Sequence, residues 1–447
     1  MEALYGACQR KDQASARPPN GRMSPTMMRD NEELHRITFA AAIALRLLAP
    51  AVIGGATGAF VAGASWLTED RALAAIAALP WPWPALFSPL ALLATLAVVK
   101  WVTRTAVPST SELYIVTYHA PDARLPLRQI PGRVLGAMAT VSGGGSQGLE
   151  SASAVTGAAF GDILGRLMRV RIPEEERRSL MAAGASAGIA AVFSSPGVGT
   201  LYGIEIPFRH DIDARRLVPC AIAAASSFVV RDAIAGARHL VVLDAAPIAD
   251  GTFMAGVVLV GIACGLGARL FARGGEFLKA LRSRGTPLKR AAAAGAVLAT
   301  LALAGRALSG TWITFGPGYI AARWLEAGPH PIWLLLATLL VRTAGTLTCV
   351  YGGGGGGVFT SLACTGVFVG QIVAELLGRT ESYAFPFLGA ACFLASGYRL
   401  PLACMLFVLE GANSIEVAMS GLVAVAIGQV LMGRESVSDA KHDERLD

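Results

Sequence analysis

Charge is scarce in this sequence. Asp, Glu, Lys and Arg make up 15% of its 447 residues, where soluble domains carry about 25%. So few charges cannot cover the water-facing surface of a large soluble enzyme. Disorder is excluded as well, because 54% of the residues are hydrophobic and a disordered chain needs the opposite balance. Cysteines are few, and the seven present form no CxxC pair. All but Cys8 lie in or beside apolar stretches, which excludes a disulfide framework and leaves no metal centre or other cofactor to expect. The first ~30 residues are polar and lack the apolar core of a signal peptide. What the chain has in excess is glycine, 51 residues, and apolar runs near the ~20 residues that cross a bilayer. The composition reads as an all-α polytopic membrane protein.

The formal charge of +7 raises the question of nucleic acid. Its distribution answers it: Arg and Lys gather in short connectors at 10–36, 166–178, 209–216 and 269–290. That is the pattern of cytoplasmic loops, not of a basic groove interleaved with aromatics. The expectation is a multi-pass protein of the inner (plasma) membrane, with both termini cytoplasmic, lipid around it and no nucleic-acid partner.

Several apolar runs are interrupted by Gly or Pro, around 143–150, 193–197, 314–318, 352–357 and 399–401. Broken helices persist in membranes only where the freed backbone groups face protein or a water-filled cavity, so the breaks mark candidate sites better than the long spans do. They are also duplicated. GASAGIAAVFSSPGVGTLYGIE from Gly184 to Glu205 and GAACFLASGYRLPLACMLFVLE from Gly389 to Glu410 place Pro and Glu at the same spacing, 205 residues apart. GGGSQGLES from Gly143 and GGGGGGVFT from Gly352 form a second pair, at offset 209. Two landmarks in one order indicate a duplicated membrane unit, with the substrate site between half-helix N-termini at the repeat interface. The division expected is a polar tail at 1–36, a first repeat at 37–240, a second at 241–432 and a charged tail at 433–447.

The stretch Gly143–Gly148 matches G-x-G-x-x-G, and Gly144–Gly148 matches G-x-S-x-G around Ser146. Both motifs need a preceding buried strand, and the residues before them read as helix. The glycines keep one physical consequence: bare backbone N–H groups at a helix start attract anions. Glu150 follows this break. A first-turn carboxylate favoured by the helix dipole is the bland account; an ionisable group at membrane depth is the functional one. A carboxylate can fill an anion site itself and leave it on protonation, which makes Glu150 a candidate gate. Phe359 holds the matching position in the second repeat, as a packing aromatic or as a backbone donor together with Val358. Glu205 and Glu410 close the Pro–Glu segments in structural or rim positions. An intramembrane serine enzyme built on Ser146 is the alternative of another class, and it requires a histidine at similar depth; no catalytic residue is expected otherwise.

At these residues the chain resembles the CLC chloride channel and transporter family. Gly148-Leu149-Glu150-Ser151-Ala152 is similar to the family's G-R-E-G-P, ASAGIAAVFSSPGVGTLYGIE to its A-G-x-A-A-x-F-N-x-P segment, YGGGGGGVFTS to its G-x-F-x-P motif and ASGYRLPLACMLFVLE to its late R-x-P-L segment. The resemblance covers about residues 38–432. It implies a CLC-type inverted repeat of about eighteen broken and re-entrant helices, a homodimer with one pore per subunit, and chloride or a similar small anion as the partner. It implies Glu150 as the gate, with Ser109 (or Thr110, by register), Gly148, Leu149, Val358 and Phe359 around the anion. Three positions depart from the family. The Ser motif lacks its glycines at Val107–Ser111, the pore tyrosine falls at Ile415, and the internal proton glutamate falls at Ile206, beside Glu205 as a possible proton path. Passive conduction is therefore expected ahead of proton-coupled exchange.

Overall fold

The computed structural model describes residues 44–103, 111–168, 173–236, 238–241, 243, 247, 250–282, 285–380, 382–412, 414–438 and 440–442. A first unit ends at Leu48, and its described part is one helical turn, Ala44–Leu48. The second unit runs from Ala49 to Asp447 and carries the rest.

About 79% of the structure is helical, and among the described residues the only β pairing consists of two isolated bridges. The main helices are α1 (Ala49–Ser65), α2 (Phe87–Val98), α3 (Ser111–His119), α4 (Ile130–Ser142), α5 (Glu150–Leu167), α6 (Glu174–Phe193), α7 (Pro196–Glu205) and α8 (Leu217–Ala235). After a connector come α9 (Gly251–Leu281), α10 (Pro287–Ser309), α11 (Tyr319–Glu326), α12 (Ile332–Gly352), α13 (Phe359–Leu377), α14 (Ala384–Tyr398), α15 (Pro401–Gly411) and α16 (Ile415–Met432). Eight helices among the described residues are long and apolar enough to cross a bilayer. Large apolar side chains such as Leu259, Leu266, Leu270 and Val430 stand exposed on α9 and α16, as lipid-facing positions do.

The sequence repeat is a structural repeat. Ser194 and Arg399, 205 residues apart, both adopt left-handed backbone (φ 51° and 52°) and stop α6 and α14 at equivalent points. One residue after each N-cap, Pro196 and Pro401 open α7 and α15, where the missing N–H of proline costs nothing. Inside each repeat two helices touch backbone to backbone. A Cβ on Gly157 of α5 would lie 1.9 Å from the Gly184 carbonyl oxygen of α6, and one on Gly366 of α13 would lie 2.0 Å from that of Gly389 in α14. Small residues at such crossings are how membrane helices gain contact where lipid offers no hydrophobic drive. The result buries α5 and α13 at the centre, and every residue of α14 with them.

The described residues of the charged tail form a strap. Val437 N–H donates to Gly397 O at 2.9 Å, His442 N–H to Pro207 O at 3.2 Å, and Arg209 N–H to His442 O at 2.8 Å. The His442 ring stacks on His119 at 3.7 Å between centroids, and Ser436, Ser438 and Lys441 are buried beneath it.

Candidate functional site

The two glycine breaks meet at the middle of the protein. Gly148 N–H donates to Gly357 O at 2.9 Å and Gly357 N–H to Gly148 O at 2.8 Å, an antiparallel bridge between residues 209 apart. This reciprocal pair fixes the next residues, Leu149 and Val358, as the N-caps of α5 and α13. Both helix N-termini therefore converge on one point, where free N–H groups and the positive ends of two dipoles favour negative charge.

Glu150 fills that point. It is 1% exposed, and its Oε1 accepts a hydrogen bond from the backbone N–H of Thr360, in the first turn of α13, at 3.1 Å. Oε2 is buried without a hydrogen-bond partner among the described residues. The carboxylate fits because neither neighbour has a side chain. A Cβ on Gly148 would stand 2.1 Å from Oε1, and one on Gly357 would stand 2.5 Å from Oε2. A carboxylate of the first repeat thus sits on the anion-attracting helix start of the second.

The structure brings Gly148, Leu149, Glu150, Val358 and Phe359 together. Leu149 (3%), Val358 (6%) and Phe359 (3%) are all buried. The Phe359 ring is enclosed by Phe193 at 5.1 Å, Tyr398 at 5.1 Å and Tyr202 at 5.8 Å between centroids. Ser109 and Thr110 lie outside the described residues. Ile415 is not at the site: it is 66% exposed in the first turn of α16 and lines neither recess described below. The chain leaves the helix at Ala412 in extended conformation, so counting onward from Glu410 along a continuing helix misplaces it.

A hydroxyl is nevertheless present, on a residue that sequence reasoning did not single out. Tyr398, the last residue of α14, is 6% exposed and its ring lies 5.1 Å from that of Phe359. It lines a cavity of about 240 Å³ together with Gln147, Gly354, Gly356 and Val358, and the strap residues Ser436, Val437 and Ser438 form another wall. Glu112, Glu276, Lys279 and Arg282 line the same cavity. A second recess reaches the site from another side. Leu149, Glu150 and Thr360 line it with Glu69, Arg231, Arg238 and Tyr319. Glu150 lines this second recess and not the first.

Ile206 is buried at 1% exposure and offers no proton-carrying group. Glu205 and Glu410 instead make a reciprocal lock. Glu205, closing α7, accepts from the N–H groups of Leu402 (2.9 Å) and Ala403 (2.8 Å) at the start of α15. Glu410, near the end of α15, accepts from Gly197 N–H at 2.6 Å and from the Ser195 hydroxyl at the start of α7. Each carboxylate satisfies the orphan donors of the other repeat's proline helix. Ser146 Oγ shares a 2.9 Å hydrogen bond with Thr346 Oγ1, not with an imidazole, and the residues before it are α-helix. Neither the nucleophile reading nor the dinucleotide reading of the glycine motif has its structural context. Among the described residues no cluster of His, Cys, Asp or Glu is placed to hold a metal.

Residues 90–433 match the family model described as voltage gated chloride channel. The chain is 29% identical over 357 residues to a chloride/fluoride channel protein of Pseudomonas syringae pv. tomato, covering 75% of this chain and 73% of that one. It is 25% identical over 414 residues to the H(+)/Cl(-) exchange transporter ClcA of Yersinia pestis bv. Antiqua, covering 87% and 84%. Among solved structures, a slow cyanobacterial Cl−/H+ antiporter superposes with a TM-score of 0.76 at 20% identity, over 88% of this chain and 96% of that one.

Proposed function

Because the chain belongs to the voltage-gated chloride channel family, we propose that this multi-pass membrane protein moves chloride or a similar small anion between its two recesses, with Glu150 as the gate. The observation that carries the reading is the Glu150 carboxylate seated on the Thr360 N–H. A carboxylate and a halide compete for the same donors at a helix N-terminus. Ionised, Glu150 fills the seat and closes the route. Protonated, it loses its charge-assisted hydrogen bond, worth about 1.5–3 kcal/mol, and leaves the seat to the anion. Tyr398 O–H and the amides of Val358 and Phe359 are the donors that receive the ion on the cavity side.

Gated passive conduction is the form of transport we assign. Ile206 cannot carry a proton, and both oxygens of Glu205 are engaged by helix-start amides. One observation favours proton-coupled exchange as the second reading: Lys441 is buried within electrostatic range of Glu205, which gives the strap side of the protein a titratable pair. Chloride and proton fluxes measured together in proteoliposomes decide between them. Uphill chloride movement driven by an imposed pH gradient at fixed stoichiometry establishes exchange; chloride flux without proton flux establishes conduction. Loss of pH dependence in Glu150→Gln tests the gate in either case.

A further inference from the structure

Arg231 lies in the last turns of α8, is 2% exposed, and lines the recess that ends on Glu150. Its Nη1 donates to Ser194 Oγ at 3.1 Å and to the Gly236 carbonyl oxygen. Both partners are neutral. Its Nε makes no hydrogen bond among the described residues, and no carboxylate among them pairs with it. The neighbouring cation is in the opposite condition. Arg238 pairs with Glu69 at 2.8 Å and with Asp70, and it lies over the Tyr319 ring. Two arginines thus face one recess: Arg238 is in direct ion-pair contact with two acids, and Arg231 makes no ion pair among the described residues.

A buried guanidinium whose hydrogen-bond partners are neutral, with Glu69 and Asp232 acting only at longer range, keeps donor capacity for an anion. We propose that Arg231 anchors an outer anion-binding antechamber, where the transported ion docks against its guanidinium before passing Glu150. The site is built. Ser194 holds left-handed backbone at the α6–α7 break, and its Oγ accepts from both Arg231 and the Arg238 backbone N–H (2.9 Å). That fixes the guanidinium at the recess wall. Glu69 and Asp70, by neutralising Arg238, confine the positive potential to Arg231, next to the gate. The ion would exchange hydration for guanidinium N–H donors, the role for which arginine is suited. The acids near Arg231 are Glu69, from the helical segment after α1, and Asp232, on its own helix and exposed, both acting on it electrostatically, while Glu150 lines the same recess.

The inference rests on the anion-transport reading and fails separately from it. Anion concentration is varied on one face at a time, using proteoliposomes in which one orientation is silenced by an impermeant reagent. Arg231→Gln is expected to raise the half-saturating chloride concentration about tenfold on the face that holds the recess, with no change on the other face. Arg231→Lys should recover part of the loss. Equal changes on both faces, or none, overturn the antechamber while leaving Glu150 as gate. A structure of the wild-type protein grown in bromide tests the site without flux and without a variant. Anomalous density beside Arg231 Nε supports it, and an empty recess at saturating bromide overturns it.

Discussion

Oε1 of Glu150 accepts a 3.1 Å hydrogen bond from the backbone N–H of Thr360, 210 residues later in the chain. One contact therefore joins the two repeats at the place where an anion would bind. Its strength depends on charge, because a neutral amide or acid accepts less strongly than a carboxylate, by about 1 kcal/mol. Glu150→Gln should keep or raise anion flux, by about fivefold where the gate limits the rate. Wild-type flux should rise as pH falls and the variant's should stay flat. Chloride efflux between pH 4 and pH 8 is the measurement, and a variant that keeps the wild-type pH profile removes Glu150 from the gate.

Tyr398 offers the hydroxyl that the sequence seemed to lack. Its ring packs on Phe359 and it lines the cavity beside Val358. Tyr398→Phe keeps the ring and removes the donor, so the fold should survive. Anion affinity measured by calorimetric titration should fall about tenfold, the worth of one hydrogen bond to a charged group. Ile415→Ala, on the exposed start of α16, should change neither flux nor affinity. The reverse result would return the pore position to Ile415.

Much of this was legible because membrane helices break only where something demands it. The Gly143 and Gly352 runs and the two Pro–Glu segments stood out by spacing alone. The structure turns them into the Gly148–Gly357 bridge and the Glu205–Glu410 lock, neither of which a linear pattern displays, since each joins residues about 200 apart. Tyr398 was hidden in ASGYRLP, where an aromatic between a helix end and a Pro reads as packing. Arg231 was hidden differently: a cation at the end of an apolar helix reads as a membrane-boundary residue, and only tertiary contacts show that no acid among the described residues forms a salt bridge with it. The tail is hydrophilic in sequence, yet its described residues dock through backbone hydrogen bonds of Val437 and His442 with Gly397, Pro207 and Arg209, which composition does not encode.

The glycine crossings set the stability of each repeat. Gly157→Ala would place a methyl 1.9 Å from a backbone carbonyl oxygen, which cannot rotate away, so α5 and α6 must separate. Overpacking of this kind costs about 1–3 kcal/mol. Thermal unfolding in detergent should show a clear drop in Tm for Gly157→Ala and for Gly366→Ala. Gly63→Ala, with no atom within 4 Å of the added carbon, should be neutral or slightly stabilising, since alanine is the better helix former. Equal behaviour at Gly63 and Gly157 would mean that the crossing is not tight.

Lys441 gives the strap a pH dependence whose sign can be worked out. Its Nζ donates to the carbonyl oxygens of Phe208 (3.1 Å) and Arg399 (3.3 Å). Burial pushes its pKa down to about 7; the Glu205 charge opposes this, while Arg399 and Arg209 add to it. A free lysine titrates near 10.4. Between about pH 7 and 10 the released strap therefore holds a proton that the docked strap does not, and docking strengthens as pH rises through that window, by up to about 1.4 kcal/mol per unit. Below about pH 7 both states are protonated and docking changes no further. A nitroxide at Ser436→Cys should lose mobility from pH 7 to pH 9.5, and Lys441→Met should flatten the profile. Mobility that grows with pH would show that the ammonium form is the one that holds the strap, through Glu205 and the two carbonyls.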